Sequence, residues 1–122
     1  MDRRLVEVDP ATKYPKKVDN KRLLREASEL REYLLSLQQK RDELGLRARV
    51  LPFCEAVLEG KLSLPISPRD EPISVVRLLD EGKEVPRDFE ELYSRLVNTA
   101  IGARAGEPFE KEGRLYAWME FE

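Results

Sequence analysis

From Lys21 to Leu44 the apolar positions repeat in steps of 4, 3, 4 and 3, through Leu23, Ala27, Leu30, Leu34 and Leu37, with Leu44 beyond. That spacing stacks side chains on one stripe of an α-helix. Leu24, Tyr33 and Leu35 widen the stripe past a coiled-coil seam, and Arg41 interrupts it at the next heptad position. Asp19 or Asn20 is placed to cap the first turn. Arg22–Glu26 and Arg25–Glu29 have the i,i+4 spacing of exposed ion pairs. Lys40 and Arg41 suit the last turn and Gly45 a left-handed stop. A helix over this whole stretch would be about 36 Å long.

A second helical stripe follows at Val50, Phe53, Cys54, Val57 and Leu58. Proline fits only the first turn of a helix, so Pro52 sets the expected start near Val50 or Leu51, and Gly60 ends it. The short link predicts a helical hairpin over residues 21–59, packed back on itself. Leu62, Leu64 and Ile66 alternate with polar or proline positions, which is strand periodicity limited by Pro65 and Pro68 to an edge or an extended connection. A short helix capped by Asp70 and running to Asp80 is expected next, although the β-branched run ISVVRLL also suits a strand. Phe89, Leu92, Tyr93, Leu96 and Ala100 make a clear helical stripe, opened by a capping-box-like Asp88–Glu91 pair and closed by Gly102.

The two ends read as strands. In residues 1–8, Arg4, Val6 and Val8 share one face of a short strand with Leu5 on the other. In residues 107–122, Phe109, a turn at Glu110–Gly113 and the run Arg114–Phe121 form a hairpin signal. Leu115, Ala117, Met119 and Phe121 alternate with Tyr116 and Trp118 along the last strand. Residues 9–20 hold little periodicity and read as a basic loop or arm. The fold class is α+β: a helical hairpin and further helices (residues 61–102 supplying a connection and two of them) packed on a small antiparallel sheet made from the N-terminal strand and the C-terminal hairpin. At 122 residues the chain is expected to be one domain.

Composition narrows the chemistry. Charged residues make up 38% of the chain, and Asn, Gln and Cys are scarce, a pattern common in thermophile proteins and in GC-rich genomes. There is no histidine and one cysteine, which removes Ser-His-Asp and Cys-His catalysis, histidine- or cysteine-rich metal sites and an internal disulfide. Neither a dinucleotide-binding nor a P-loop glycine pattern is present. Glu110, Glu112, Glu120 and Glu122 offer a weak carboxylate site if the hairpin brings them together. Cys54, on an apolar stripe, reads as a buried small hydrophobe. No cofactor or metal is expected, and the chain is read as not being an enzyme.

Two features suit partners. Residues 1–25 carry eight basic and four acidic side chains, while residues 106–122 carry two basic and five acidic ones. Arg3, Arg4, Lys13, Lys16, Lys17, Lys21, Arg22 and Arg25 form a basic segment that is either a phosphate-binding surface or a solvated stretch neutralised by the acidic end. Tyr116 and Trp118, beside Arg114, are either an exposed aromatic interface or one side of a doubly covered sheet. The sequence therefore points to a protein-binding adaptor, inhibitor or assembly subunit using Arg3, Arg4, Lys16, Lys17, Lys21, Arg22, Arg25, Tyr116 and Trp118. The alternative is an accessory subunit that touches nucleic acid or a transcription complex through the basic segment. No membrane span and no secretory leader are visible, so the expected location is the cytoplasm.

Overall fold

The computed structural model describes residues 2–37, 42, 44–102 and 105–122. The chain runs β1 (Asp2–Glu7), α1 (Asn20–Ser36), α2 (Leu46–Leu58), α3 (Val75–Asp80), α4 (Arg87–Ile101), β2 (Phe109–Lys111) and β3 (Arg114–Phe121), with a 3-10 turn at Pro68–Asp70 before α3. Three antiparallel strands form a sheet in the order β1-β3-β2. This is the expected α+β arrangement, with both ends of the chain in one sheet. Among the described residues no helix is long and apolar enough to cross a membrane.

Helix α1 packs between α2 and α4. Leu23, Ala27, Leu30 and Leu34 from its stripe are fully buried with Val50 and Cys54 of α2 and Phe89, Leu96 and Ala100 of α4. Each such leucine is worth roughly 1.5–3 kcal/mol of burial. Phe89 stacks on Tyr93 at 5.2 Å between ring centroids. The Tyr93 hydroxyl donates to the Ile73 carbonyl at 2.7 Å, which ties the irregular stretch before α3 to α4.

Several expected boundaries move. Helix α1 stops at Ser36 rather than Leu44, so it is about 26 Å long. Ser36 Oγ donates to the Tyr33 carbonyl and Leu37 turns extended, so the hydroxyl competes with the helical ladder where α2 must fold back. Lys40 and Arg41, expected in the last turn, lie outside the described residues. Leu24 and Leu35 are exposed rather than widening the buried stripe. Glu26, expected on the outer face, is buried and accepts a hydrogen bond from Thr99 Oγ1 of α4.

Helix α2 begins at Leu46, four residues before the expected start, and carries Pro52 in its interior. The Asp42 carboxylate makes this possible by accepting from the Leu46 and Arg47 N–H groups at 2.7 and 3.0 Å. Gly45 is the left-handed residue at this start, not the stop of α1. The early start buries Leu46 and Val50 and leaves Pro52 on the exposed face. An interior proline costs about 3 kcal/mol, and the burial offsets it.

Residues 61–67 form the extended connection, fastened where the Ile66 N–H donates to the Ala100 carbonyl at 2.9 Å. The stretch 75–80 is helix rather than strand, but Ser74 caps it instead of Asp70. Helix α4 starts directly after Pro86, so Asp88 sits inside the first turn and makes no cap bond; its charge still favours that end of the helix dipole. Gly102 then turns left-handed (φ +80°) against the Pro15 carbonyl, where an added Cβ would stand only 3.1 Å away.

Candidate interaction surface

Pairing in the sheet decides which side chains meet. The hairpin turn is two residues, Glu112 and Gly113, both at positive φ, not the four-residue turn expected from Glu110. Such a turn follows the natural strand twist and pairs Phe109 with Tyr116 and Lys111 with Arg114. Strand β1 spans Asp2–Glu7, within the expected residues 1–8, and sets Leu5 opposite Trp118 and Val6 opposite Ala117. Val6, Ala117, Met119 and Phe121 are buried on the inner face. The outer face gathers Leu5, Phe109, Tyr116 and Trp118, with Arg3, Lys111, Arg114 and Glu120 around them.

On that outer face Trp118 is 45% exposed, Phe109 38% and Leu5 37%. Tyr116 is half-buried among them. The Arg3 guanidinium lies 5.2 Å from the Trp118 ring centre, a cation–π contact that orients the indole while leaving it open to solvent.

The basic segment is not a loose arm. The Asp9 N–H donates to the Tyr14 carbonyl, Val8 bridges Pro15, and Pro15, Val18 and Asp19 are buried. Its cations divide into two groups. Arg22 and Arg25 join a seam between α1 and the end of β3. Arg22 Nε stands 3.5 Å from Glu122 and 3.7 Å from Asp19, and Arg25 bonds both Glu122 and Glu29. Those bonds raise the Arg25 pKa, and the Arg25 guanidinium holds the Glu122 carboxyl below the ordinary range. The second group lines an open cavity of about 530 Å³ between β1, the 16–21 segment and β3, through Arg4, Lys16, Lys17 and Lys21 over Val18 and Phe121. Arg4 pairs with Asp2 at 2.6 Å and its guanidinium stands 4.8 Å from the Phe121 ring centre; Lys16 pairs with Glu7 at 3.3 Å.

The nine residues expected to bind partners thus fall in three places. Arg3, Tyr116 and Trp118 share the outer sheet face, Arg4, Lys16, Lys17 and Lys21 share the cavity, and Arg22 and Arg25 are drawn into the seam. Leu5 and Phe109 also belong to the outer face. Leu5 was visible as the odd residue of its strand, but the partnership of Phe109 with Tyr116 needs the two-residue turn.

Cys54 is fully buried, and burial pushes its thiol up to about 12. Among the described residues no group of three or more carboxylate or cysteine side chains stands close enough to hold a metal ion. Glu110 and Glu120 take opposite faces of the sheet, and Glu122 is engaged by arginines. Comparison with known family models, with characterised protein sequences and with solved structures finds no match to this chain.

Proposed function

We propose that this chain is a small non-enzymatic interaction protein, an adaptor, inhibitor or assembly subunit, that meets a protein partner through the outer face of its sheet. The observation that carries this reading is the contiguous set Leu5, Phe109 and Trp118, exposed together around Tyr116. Isolated exposed apolar side chains are ordinary, but a clustered set with a Trp and a neighbouring Arg has the composition of an interface centre. The inert thiol and the dispersed carboxylates support leaving catalysis out of the reading. In this reading the protein works in the cytoplasm, where its single buried thiol stays reduced.

The nucleic-acid alternative has less support. Arg4, Lys16, Arg22 and Arg25 are already paired with carboxylates, which lowers the charge available to phosphates.

The test is capture from extracts of the source organism on immobilised wild-type and Trp118→Ala protein. The captured protein is then identified, purified and titrated. The expected result is one specific partner whose affinity falls at least tenfold with Trp118→Ala while the melting temperature holds. Equal affinity for both forms would sink the reading.

A further inference from the structure

Resting on that reading, we propose how the partner is held: as an added strand on the free edge of β1, in the form of an extended peptide with apolar residues facing outward and acidic residues facing inward.

The edge follows from the register. The Val8 N–H donates to the Leu115 carbonyl at 2.9 Å, so the even-numbered residues of β1 exchange bonds with β3. Arg3, Leu5 and Glu7 therefore direct both backbone groups the other way. The chain uses one end of this edge itself. The Lys16 N–H donates to the Glu7 carbonyl at 2.9 Å, and Pro15 bridges Val8, as the start of a fourth strand would. The chain then turns away into α1, and among the described residues no strand or bridge pairs with the edge at Leu5 and Arg3.

Both sides of that open edge carry a preference. Side chains on an added strand alternate between faces. Outward ones would lie beside Leu5, next to Trp118. Inward ones would enter the cavity lined by Arg4, Lys16, Lys17 and Lys21. The two carboxylates in that lining are already occupied: Asp19 accepts from the Arg22 and Glu122 N–H groups, and Glu122 holds Arg22 and Arg25. Of the cations there, Arg4 and Lys16 already pair with Asp2 and Glu7, which leaves Lys17 and Lys21 to favour a carboxylate from outside, while main-chain bonds to Arg3 and Leu5 supply sequence-independent affinity.

A second copy of the chain fits poorly. Antiparallel pairing of two β1 strands with Leu5 against Leu5 brings Arg3 to Glu7, where the Lys16 backbone already sits. Shifting the register to pair Arg3 with Leu5 sets Arg4 against Arg4, a like-charge contact.

The probe is the blocked peptide acetyl-Val-Glu-Val-Glu-Val-Glu-amide, compared with its Val-Lys counterpart. Binding is read from the emission of Trp118, the single tryptophan, and from amide exchange. The Val-Glu peptide is expected to shift Trp118 emission and slow exchange at Arg3 and Leu5, and the Val-Lys peptide to bind about tenfold more weakly. Arg3→Pro removes one outward N–H on an edge where proline is tolerated, so it should bind about fivefold more weakly than Arg3→Ala at equal melting temperature. Equal binding of both peptides, no binding of either at millimolar concentration, or binding without protection at Arg3 and Leu5 overturns the proposal. Partner capture that depends on Trp118 but leaves those two amides unprotected keeps the function and removes the strand addition.

Discussion

The two faces of β3 are built from one run of residues, yet they do opposite things. Ala117, Met119 and Phe121 are buried beneath the sheet, while Trp118 between them is 45% exposed on top. Hydrophobicity alone does not separate them, since the outer face carries the larger aromatic. What separates them is cover. The inner face is closed by the rest of the chain, and the outer face leaves Leu5, Phe109 and Trp118 open to solvent. The same alternation therefore supplies core on one side and, in the reading proposed above, contact surface on the other.

The sharpest way to break this comparison is to truncate each face in turn. Met119→Ala leaves a cavity under the sheet and should cost about 2–5 kcal/mol of stability, read by thermal or urea unfolding. Trp118→Ala should shift stability by no more than about 0.5 kcal/mol, as at other exposed sites, while weakening partner binding by about 2 kcal/mol. If the two stability effects came out equal, the outer face would be structural.

Acid should act on the seam that holds the sheet to α1. The Glu122 carboxyl titrates below its usual range because Arg25 bonds its charged form. As pH falls, the unfolded chain takes up that proton first. The seam's contribution is therefore complete above the ordinary carboxylate range and is lost as pH drops through the lowered value. Stability against pH should flatten in this window for Glu122→Gln, with Trp118 exposure unchanged. The smallest effect belongs to the hairpin turn, where Glu112 adopts positive φ. Glu112→Asn creates the Asn-Gly pair preferred there and should stabilise by a few tenths of a kcal/mol up to about 1 kcal/mol, without changing the Phe109–Tyr116 pairing seen by NMR.

The α+β plan was legible because its signals are local: the stripe from Leu23 to Leu34, the stripe from Phe89 to Ala100, and the alternation in β3. The boundaries were not, because tertiary contacts set them. Pro52 is tolerated inside α2 because Asp42 caps an earlier start and Leu46 has a core to enter. Glu26 faces inward because α4 brings Thr99 to it, which spacing within α1 cannot reveal. The candidate surface was half legible. Tyr116 and Trp118 follow from alternation, whereas adding Leu5 and Phe109 requires the strand register. The fate of the basic residues depended on Asp2, Glu7 and Glu122, near in space but, for Glu122, at the far end of the chain.

Asp19 binds two distances into one event. One of its oxygens accepts from the Arg22 N–H three residues on, and the other accepts from the Glu122 N–H, 103 residues away. The first turn of α1 and the end of the last strand thus share a single buried anchor. Detaching the strand would strip the helix start of half its fastening, and fraying the helix would free the strand. Local opening at either place becomes opening at both, so the Arg22 and Glu122 amides should exchange with solvent together, at one common free energy.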